Sequence, residues 1–239
     1  MGGRAPNRGA AGIDRVTLED AEEYGIARLL GVFLVLTMMV GPKISPEGVV
    51  AEERRGKAVA DLARESGIEH LVYSSLNGAS ARSGIPYYES KARIEEHIHA
   101  LRLPATILRP VSFMDNFATY NRPVLDDGEL VVSLAVRPEL PMQLISVRDI
   151  GAFAAIAFDR PDQFLGRTVE IAGDVLTPPQ IAETFGRVCG LPARFRQTLS
   201  VHLAHGSDGR WSVVFLEPFA PPSPSSLPTV VSSSSAPPS

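Results

Sequence analysis

"HLVYSSLNGASARSGIPYYESKARIEEHIHALRLPATILRP", residues 70–110, is the stretch whose reading decides the fold. HLVYSS (70–75) is a short apolar run and predicts a strand. A helical segment over 87–102 follows, and ATILRP (105–110) is a second short strand. Strand, helix and strand in this order imply parallel strands joined by a right-handed crossover. Residues four apart on a helix share a face. Tyr87, Lys91, Ile94, Ile98 and Leu101 therefore fall on one stripe, the stripe that packs on the sheet. A lysine on that stripe is costly unless something polar or anionic meets it, so the pattern marks a candidate site.

The same alternation extends both ways. Upstream, GVFLVLT (31–37) predicts a strand buried on both faces. The segment 46–67 predicts a helix with Val50, Ala58, Val59, Leu62 and Ala63 on its apolar face and Gly67 as its stop. Downstream, QLISV (143–147), TVEIAG (168–173) and ARFRQT (193–198) predict strands, and RDIGAFAAIAFDR (148–160) a helix. TPPQIAETFGRVCG (177–190) carries a full helix grammar: Thr177 as N-cap, Pro178 at N1, Gln180 closing a capping box, and Gly190 ending it. The expected fold is α/β: an incomplete doubly wound parallel sheet with a small C-terminal α+β lobe. The lobe takes roughly residues 111–147 and 160–198 of a globular zone at 13–198. Residues 1–12 are irregular, the pattern decays over 199–217, and 218–239, with 7 Pro and 8 Ser, reads as disordered.

Composition removes several classes of function. A net charge of −4, a pI near 5.8 and the lack of a basic stripe give no reason to expect nucleic acid. The longest apolar run, Leu29 to Gly41, has 13 residues, short of the roughly 20 a membrane helix needs. No apolar signal region opens the chain, and Pro6 stands where a myristoylation motif wants Ser or Thr. The single Cys189 fits a reducing compartment, so the expected location is cytoplasmic. His70, His97, His99, His202 and His205 form no ligand set, so no metal is expected. Neither a Gly-x-Ser-x-Gly elbow nor a phosphate loop occurs.

Chemistry concentrates on Tyr87 and Lys91. An ammonium close to a phenol favours the phenolate, which would lower the pKa of Tyr87 and let it give or take a proton at a carbonyl or alcohol oxygen. Ser74 and Ser75, at the carboxyl end of the preceding strand, would supply a second hydroxyl. The plainer reading is a charged surface helix held by Lys91–Glu95 and Glu89–Arg93 pairs four residues apart. For RPVSFMDNF (109–117) the plainer reading is apolar filler, and for Asp149 it is helix capping.

Taken in order, GVFLVLT, the stretch from Gly56 to Ala79, the stretch from Gly84 to Phe117, ISVRDIGAFAAIAF and the stretch from Gly166 to Pro192 resemble the NmrA-like group of atypical short-chain dehydrogenases/reductases. The resemblance implies a Rossmann domain that binds NAD or NADP, with a small lobe over the nicotinamide end. By position, Lys91 would hold the nicotinamide ribose, Tyr87 would donate the proton, and Ser75 or Ser74 would assist it. Leu36 and Thr37 would line the dinucleotide groove, Pro110, Val111 and Phe113 would border the nicotinamide, and Met114 and Asn116 would lie nearer the substrate. Two functions follow from it: an NAD(P)H-dependent reductase of small carbonyl or quinone compounds, or a non-catalytic dinucleotide-sensing regulator that binds a protein partner.

The family pattern begins with a strand, a glycine-rich turn and a helix that present N–H groups to the pyrophosphate. Gly9 and Gly12 lack that context, and Thr17 is the nearest polar residue to the adenine position. The expectation is a truncated or mis-spliced reading of a longer gene, possessing the tyrosine–lysine pair without the phosphate cradle, or an inactive product. Residues 13–18 are expected to pair with the strand at 31–37, whose apolar edge would otherwise be open.

Overall fold

A computed structural model describes residues 31–40, 43–198 and the strands at 201–205 and 211–215. The expectations for residues 1–30 and 218–239, including a strand at 13–18, lie outside the described residues. The chain divides into two compact units, one of residues 1–108 and 154–169, the other of 109–153 and 170–239.

The first unit holds the strands β1 (Gly31–Val35), β4 (His70–Ser74) and β5 (Ala105–Pro110), with β1 pairing β4 and β4 pairing β5 in parallel. The sheet order is β1-β4-β5-β10, where β10 is Thr168–Ile171. A short hairpin, β2 (Met39–Val40) with β3 (Lys43–Ile44), follows β1. Helix α1 (Pro46–Glu65) precedes β4, and α2 (Pro86–Ala100) joins β4 to β5, so the predicted crossover forms. Ser45 caps α1 by accepting the Gly48 N–H, and Gly67 ends it in the left-handed region at φ 65°.

One face of this sheet carries Val32, Leu34, Leu71, Tyr73, Ala105 and Ile107, packed against Ala60, Ala63, Ile94 and Ile98 of the two helices. The stripe predicted on α2 is therefore the buried one. Two expectations need correction. Phe33 and Val35 of β1 are exposed, so this strand is buried on one face only. On α1 the predicted apolar face is right in part: Ala63 is buried and Val59 packs against the core, but Val50 and Leu62 are 68% and 60% exposed, and Gly48, Val49, Glu52, Gly56 and Ala60 are buried instead. Small residues let α1 approach closely. A Cβ on Gly56 would stand 2.7 Å from Ile94 Cδ1 and 2.8 Å from Leu36 Cδ1.

On the opposite face, His70 sits edge-on to Phe158 at 5.2 Å, from helix α3 (Val147–Asp159). Thr106 Oγ1 donates to the Phe164 carbonyl and lies 2.8 Å from His70 Nε2. Nε2 therefore carries the proton, and the buried Nδ1 has no hydrogen-bond partner among the described residues. Burial pushes the His70 pKa down from its ordinary value. The unfolded chain thus takes up this proton first as pH falls. Stability is full above about pH 6.5 and declines below it toward the depressed folded value. A urea midpoint that falls between about pH 7 and pH 5, and a flatter profile in His70→Leu, is the expected result.

The second unit has two three-stranded sheets and one two-stranded pair among the described residues. One sheet is ordered β11-β9-β6, from Asp174–Leu176, Met142–Ile145 and Ser112–Phe113; the other is β12-β8-β7, from Ala193–Gln197, Glu129–Leu134 and Val124–Asp126. β7 and β8 form a hairpin through Asp127 and Gly128, at φ 48° and 80°, a turn suited to Asp-Gly. Helix α5 (Pro178–Cys189) has its Thr177–Gln180 capping box and left-handed Gly190 as predicted. A 3-10 helix at Met114–Ala118, the antiparallel pair β13 (Val201–His205) and β14 (Trp211–Phe215), and, in the first unit, the four-residue α4 (Pro161–Phe164) complete the described elements. No described helix is long and apolar enough to cross a membrane.

Candidate functional site

The carboxyl ends of parallel strands are where α/β sheets take ligands. In the first unit, that edge carries Leu36 and Thr37 just beyond β1, and Ser74 and Ser75 at the end of β4. Lys91 reaches this edge from α2 and is 4% exposed. Its ammonium lies 3.0 Å from Glu52 Oε1 and donates to the Leu36 carbonyl at 3.3 Å. It also stands over the Tyr73 ring, 5.6 Å from the centroid.

Glu52 is 0% exposed. It occupies the middle of the small-residue face of α1, between Gly48 and Gly56. Its Oε2 accepts the Ser90 hydroxyl at 2.8 Å. Oε1 has no aligned hydrogen bond, so its attraction to Lys91 is charge on charge. The charged-surface-helix reading thus needs correction. Arg93 does pair with Glu89, but also with Glu53 of α1 at 2.7 Å, and Lys91 turns inward to α1. Glu52 was missed in the sequence because a lone glutamate reads as solvated. The available signal was its i,i+4 spacing from Gly48 and Gly56.

Ser75 is buried and its hydroxyl donates to Glu95 Oε1. Thr37 is tied at both ends, its carbonyl by Arg55 Nη2 and its hydroxyl by the Met39 N–H, each at 3.1 Å. Tyr73 is fully buried, and its hydroxyl finds no hydrogen-bond partner among the described residues. Burial, with Glu52 and Glu95 near it, raises its pKa strongly. Removing an unsatisfied buried hydroxyl gives up no bond. Tyr73→Phe is therefore expected to leave thermal stability unchanged or raise it by about 1 kcal/mol.

Tyr87 is half-buried, with its ring 4.8 Å from that of Tyr88. Its pKa is pushed up to about 12, by burial first, then by the neighbouring Tyr88 phenol. This reverses the expected lowering: the Lys91 charge is spent on Glu52, and Tyr87 is held as a neutral phenol.

The remaining candidates belong to the second unit or its border. Pro110 is buried, Val111 donates its N–H to the Ile171 carbonyl at 3.3 Å, and Phe113 is exposed. Met114 and Phe117 pack against Val132, Leu134, Leu144 and Ile181, as the filler reading expected. The Asn116 carbonyl accepts from Thr119 and Asn121. Asp149 does not cap its helix: Ser146 Oγ accepts the Asp149 N–H at 3.1 Å, and Asp149 sits in the first turn, where its charge suits the helix dipole.

A parallel sheet with helical crossovers and a polar cluster at its carboxyl edge defines a Rossmann-type α/β protein. The NmrA-like family model matches residues 10–204, and the chain belongs to that family. It is 29% identical over 156 residues to the nitrogen metabolite repression protein nmr of Neurospora crassa, covering 60% of this chain and 32% of that protein. The structure of NmrA, a negative transcriptional regulator, in complex with NAD superposes with a TM-score of 0.59 at 24% identity, over 70% of this chain and 52% of that one. The quinone oxidoreductase QOR2 of Escherichia coli, complexed with NADPH, superposes at 0.57 and 19% identity, over 71% and 55%. The chain spans about a third to a half of the length of the curated relatives it matches.

The described residues do not fit a dinucleotide held for catalysis. The ammonium that would grip a ribose is buried against Glu52 and Leu36, the Ser75 hydroxyl is given to Glu95, and burial beside Tyr88 raises the Tyr87 pKa.

Proposed function

We propose that this protein is a non-catalytic regulator of the NmrA-like kind, taking NAD or NADP at the carboxyl edge of its sheet as a signal and passing the bound state to a protein partner. The observation that carries this reading is the buried ion pair of Lys91 with Glu52, beside a Tyr87 phenol whose pKa burial pushes up to about 12. A phenol so weakly acidic is a poor proton donor near neutral pH. The regulators among the similar proteins, nmr and NmrA, support the same reading.

The second reading is an NAD(P)H-dependent reductase of small carbonyl or quinone compounds. The retained Tyr87, Lys91 and Ser75, and the likeness to a quinone oxidoreductase, favour it. Following NADPH absorbance with a benzoquinone separates the two. The expected result is no oxidation above the protein-free blank, in the native chain and in Tyr87→Phe alike. Oxidation by the native chain that Tyr87→Phe slows at least about 100-fold, the scale of a general acid, would establish the reductase.

A further inference from the structure

We infer that Glu52 is the positioning residue that closes the Lys91 site to a sugar diol. The inference rests on the non-catalytic reading and deepens it: a dinucleotide taken at the sheet edge is held without a grip of Lys91 on its ribose, because Glu52 has that ammonium. Three observations carry it. Glu52 is wholly buried on α1, a helix that contributes no other acidic group to this cluster among its buried residues. Its two oxygens are directed to Lys91 and Ser90, which are adjacent on α2. Lys91 also donates to the Leu36 carbonyl, just beyond β1.

A vicinal diol binds an ammonium by accepting its N–H groups. Here a carboxylate 3.0 Å away holds the ammonium by charge and a peptide carbonyl accepts one of its N–H groups, with both side chains buried. A neutral hydroxyl is a weaker acceptor than a carboxylate, so a ribose cannot displace Glu52 without an opening of α1 from α2. Gly56, against Ile94 and Leu36, sets how closely these helices meet, and so helps hold the carboxylate in place. Closure of this site is therefore a property of the α1–α2 contact.

Reductive methylation of the folded full chain, read by peptide mass spectrometry, tests this directly. Lys57, on the outside of α1 with its side chain 36% exposed, is the internal reference. Lys91 is expected to label at least about tenfold more slowly than Lys57, because labelling needs a local opening. Saturating NADPH is expected to leave the Lys91 rate unchanged. In Glu52→Gln, checked for folding by circular dichroism, labelling of Lys91 is expected to rise toward that of Lys57, while Glu52→Asp, which keeps the charge, retains protection. Labelling of native Lys91 at the Lys57 rate, or slowing of Lys91 labelling by NADPH, would overturn the inference. Should Glu52→Gln fail to fold, the native comparison decides alone. Failure here is separate from failure of the regulatory reading, which only NADPH turnover decides.

Discussion

Glu52→Gln is expected to destabilise the protein by about 3–5 kcal/mol, the cost of breaking a buried ion pair by removing one partner. The amide keeps the shape of the carboxylate, so the loss is not one of packing. It leaves the Lys91 ammonium nearly water-free, facing a neutral amide, with the Leu36 carbonyl as its remaining acceptor. The aromatic face of Tyr73 offsets little of this at 5.6 Å. The double variant Glu52→Gln/Lys91→Met is expected to recover most of the loss, because methionine fills the volume of the lysine stem and no unpaired charge remains. Urea midpoints of the native chain, both single variants and the double variant form the cycle that isolates the pair. A Glu52→Gln chain within about 1 kcal/mol of native would show that the pair is solvated, which the burial of both residues excludes.

Far weaker effects are expected of the pairs on the outer sides of the same helices. Lys57–Glu53 and Arg93–Glu53 are shorter, at 2.7 Å, but partly exposed. The Glu53 carboxyl is held below its usual range by Lys57 and Arg93, although burial acts the other way. Water and salt screen such pairs, and each contributes about 1 kcal/mol or less. The shorter pairs are thus the weaker ones, because exposure rather than separation decides.

Much of this was legible in the sequence where a local rule decides the conformation. The Thr177–Gln180 box, Gly67 and Gly190 fix helix ends by hydrogen bonding and by the freedom of glycine at positive φ, and all three behave as read. The stripe from Tyr87 to Leu101 was legible because its apolar residues are large. The face of α1 was legible only in part, because apart from Val49 its buried positions are Gly, Ala and one Glu, while Val50 and Leu62 point outward. A hydrophobic pattern weights a side chain by its size, yet close helix packing selects small ones. The β7–β8 hairpin was passed over although Asp127-Gly128 signals its turn, since its strands are short and VLD is wholly exposed. At the site, Tyr87 and Lys91 could be named from spacing alone. Their surroundings could not: Glu52 lies 39 positions before Lys91, and only the fold shows that it meets the ammonium and that burial, beside Tyr88, raises the pKa of Tyr87.

Ile94→Ala is expected to cost about 2–5 kcal/mol, the range for emptying a fully buried aliphatic site. The position within that range depends on how far α1 can settle into the space. Gly56 is the part of α1 that faces Ile94, and a Cβ placed there would meet Ile94 Cδ1 at 2.7 Å and Cγ1 at 2.9 Å. In the native chain, Gly56→Ala sets two effects against each other. Alanine favours the helix by about 1 kcal/mol, while overpacking costs about 1–3 kcal/mol. The clash is with side-chain atoms of two packed residues, so the net effect is expected to be destabilising. In the Ile94→Ala background, Cδ1 and Cγ1 are gone, and the added methyl group fills part of the void. There Gly56→Ala should stabilise, giving a coupling of about 1–3 kcal/mol between the two positions in urea denaturation. Additive effects would mean that the helices do not meet at this point. The contact also bears on the site, because Leu36 Cδ1 lies 2.8 Å from the same added Cβ and the Leu36 carbonyl accepts from Lys91. A methyl group on Gly56 in the native chain therefore presses on the residue that helps hold the ammonium. Labelling of Lys91 in Gly56→Ala should rise above native, as the α1–α2 contact loosens around Glu52.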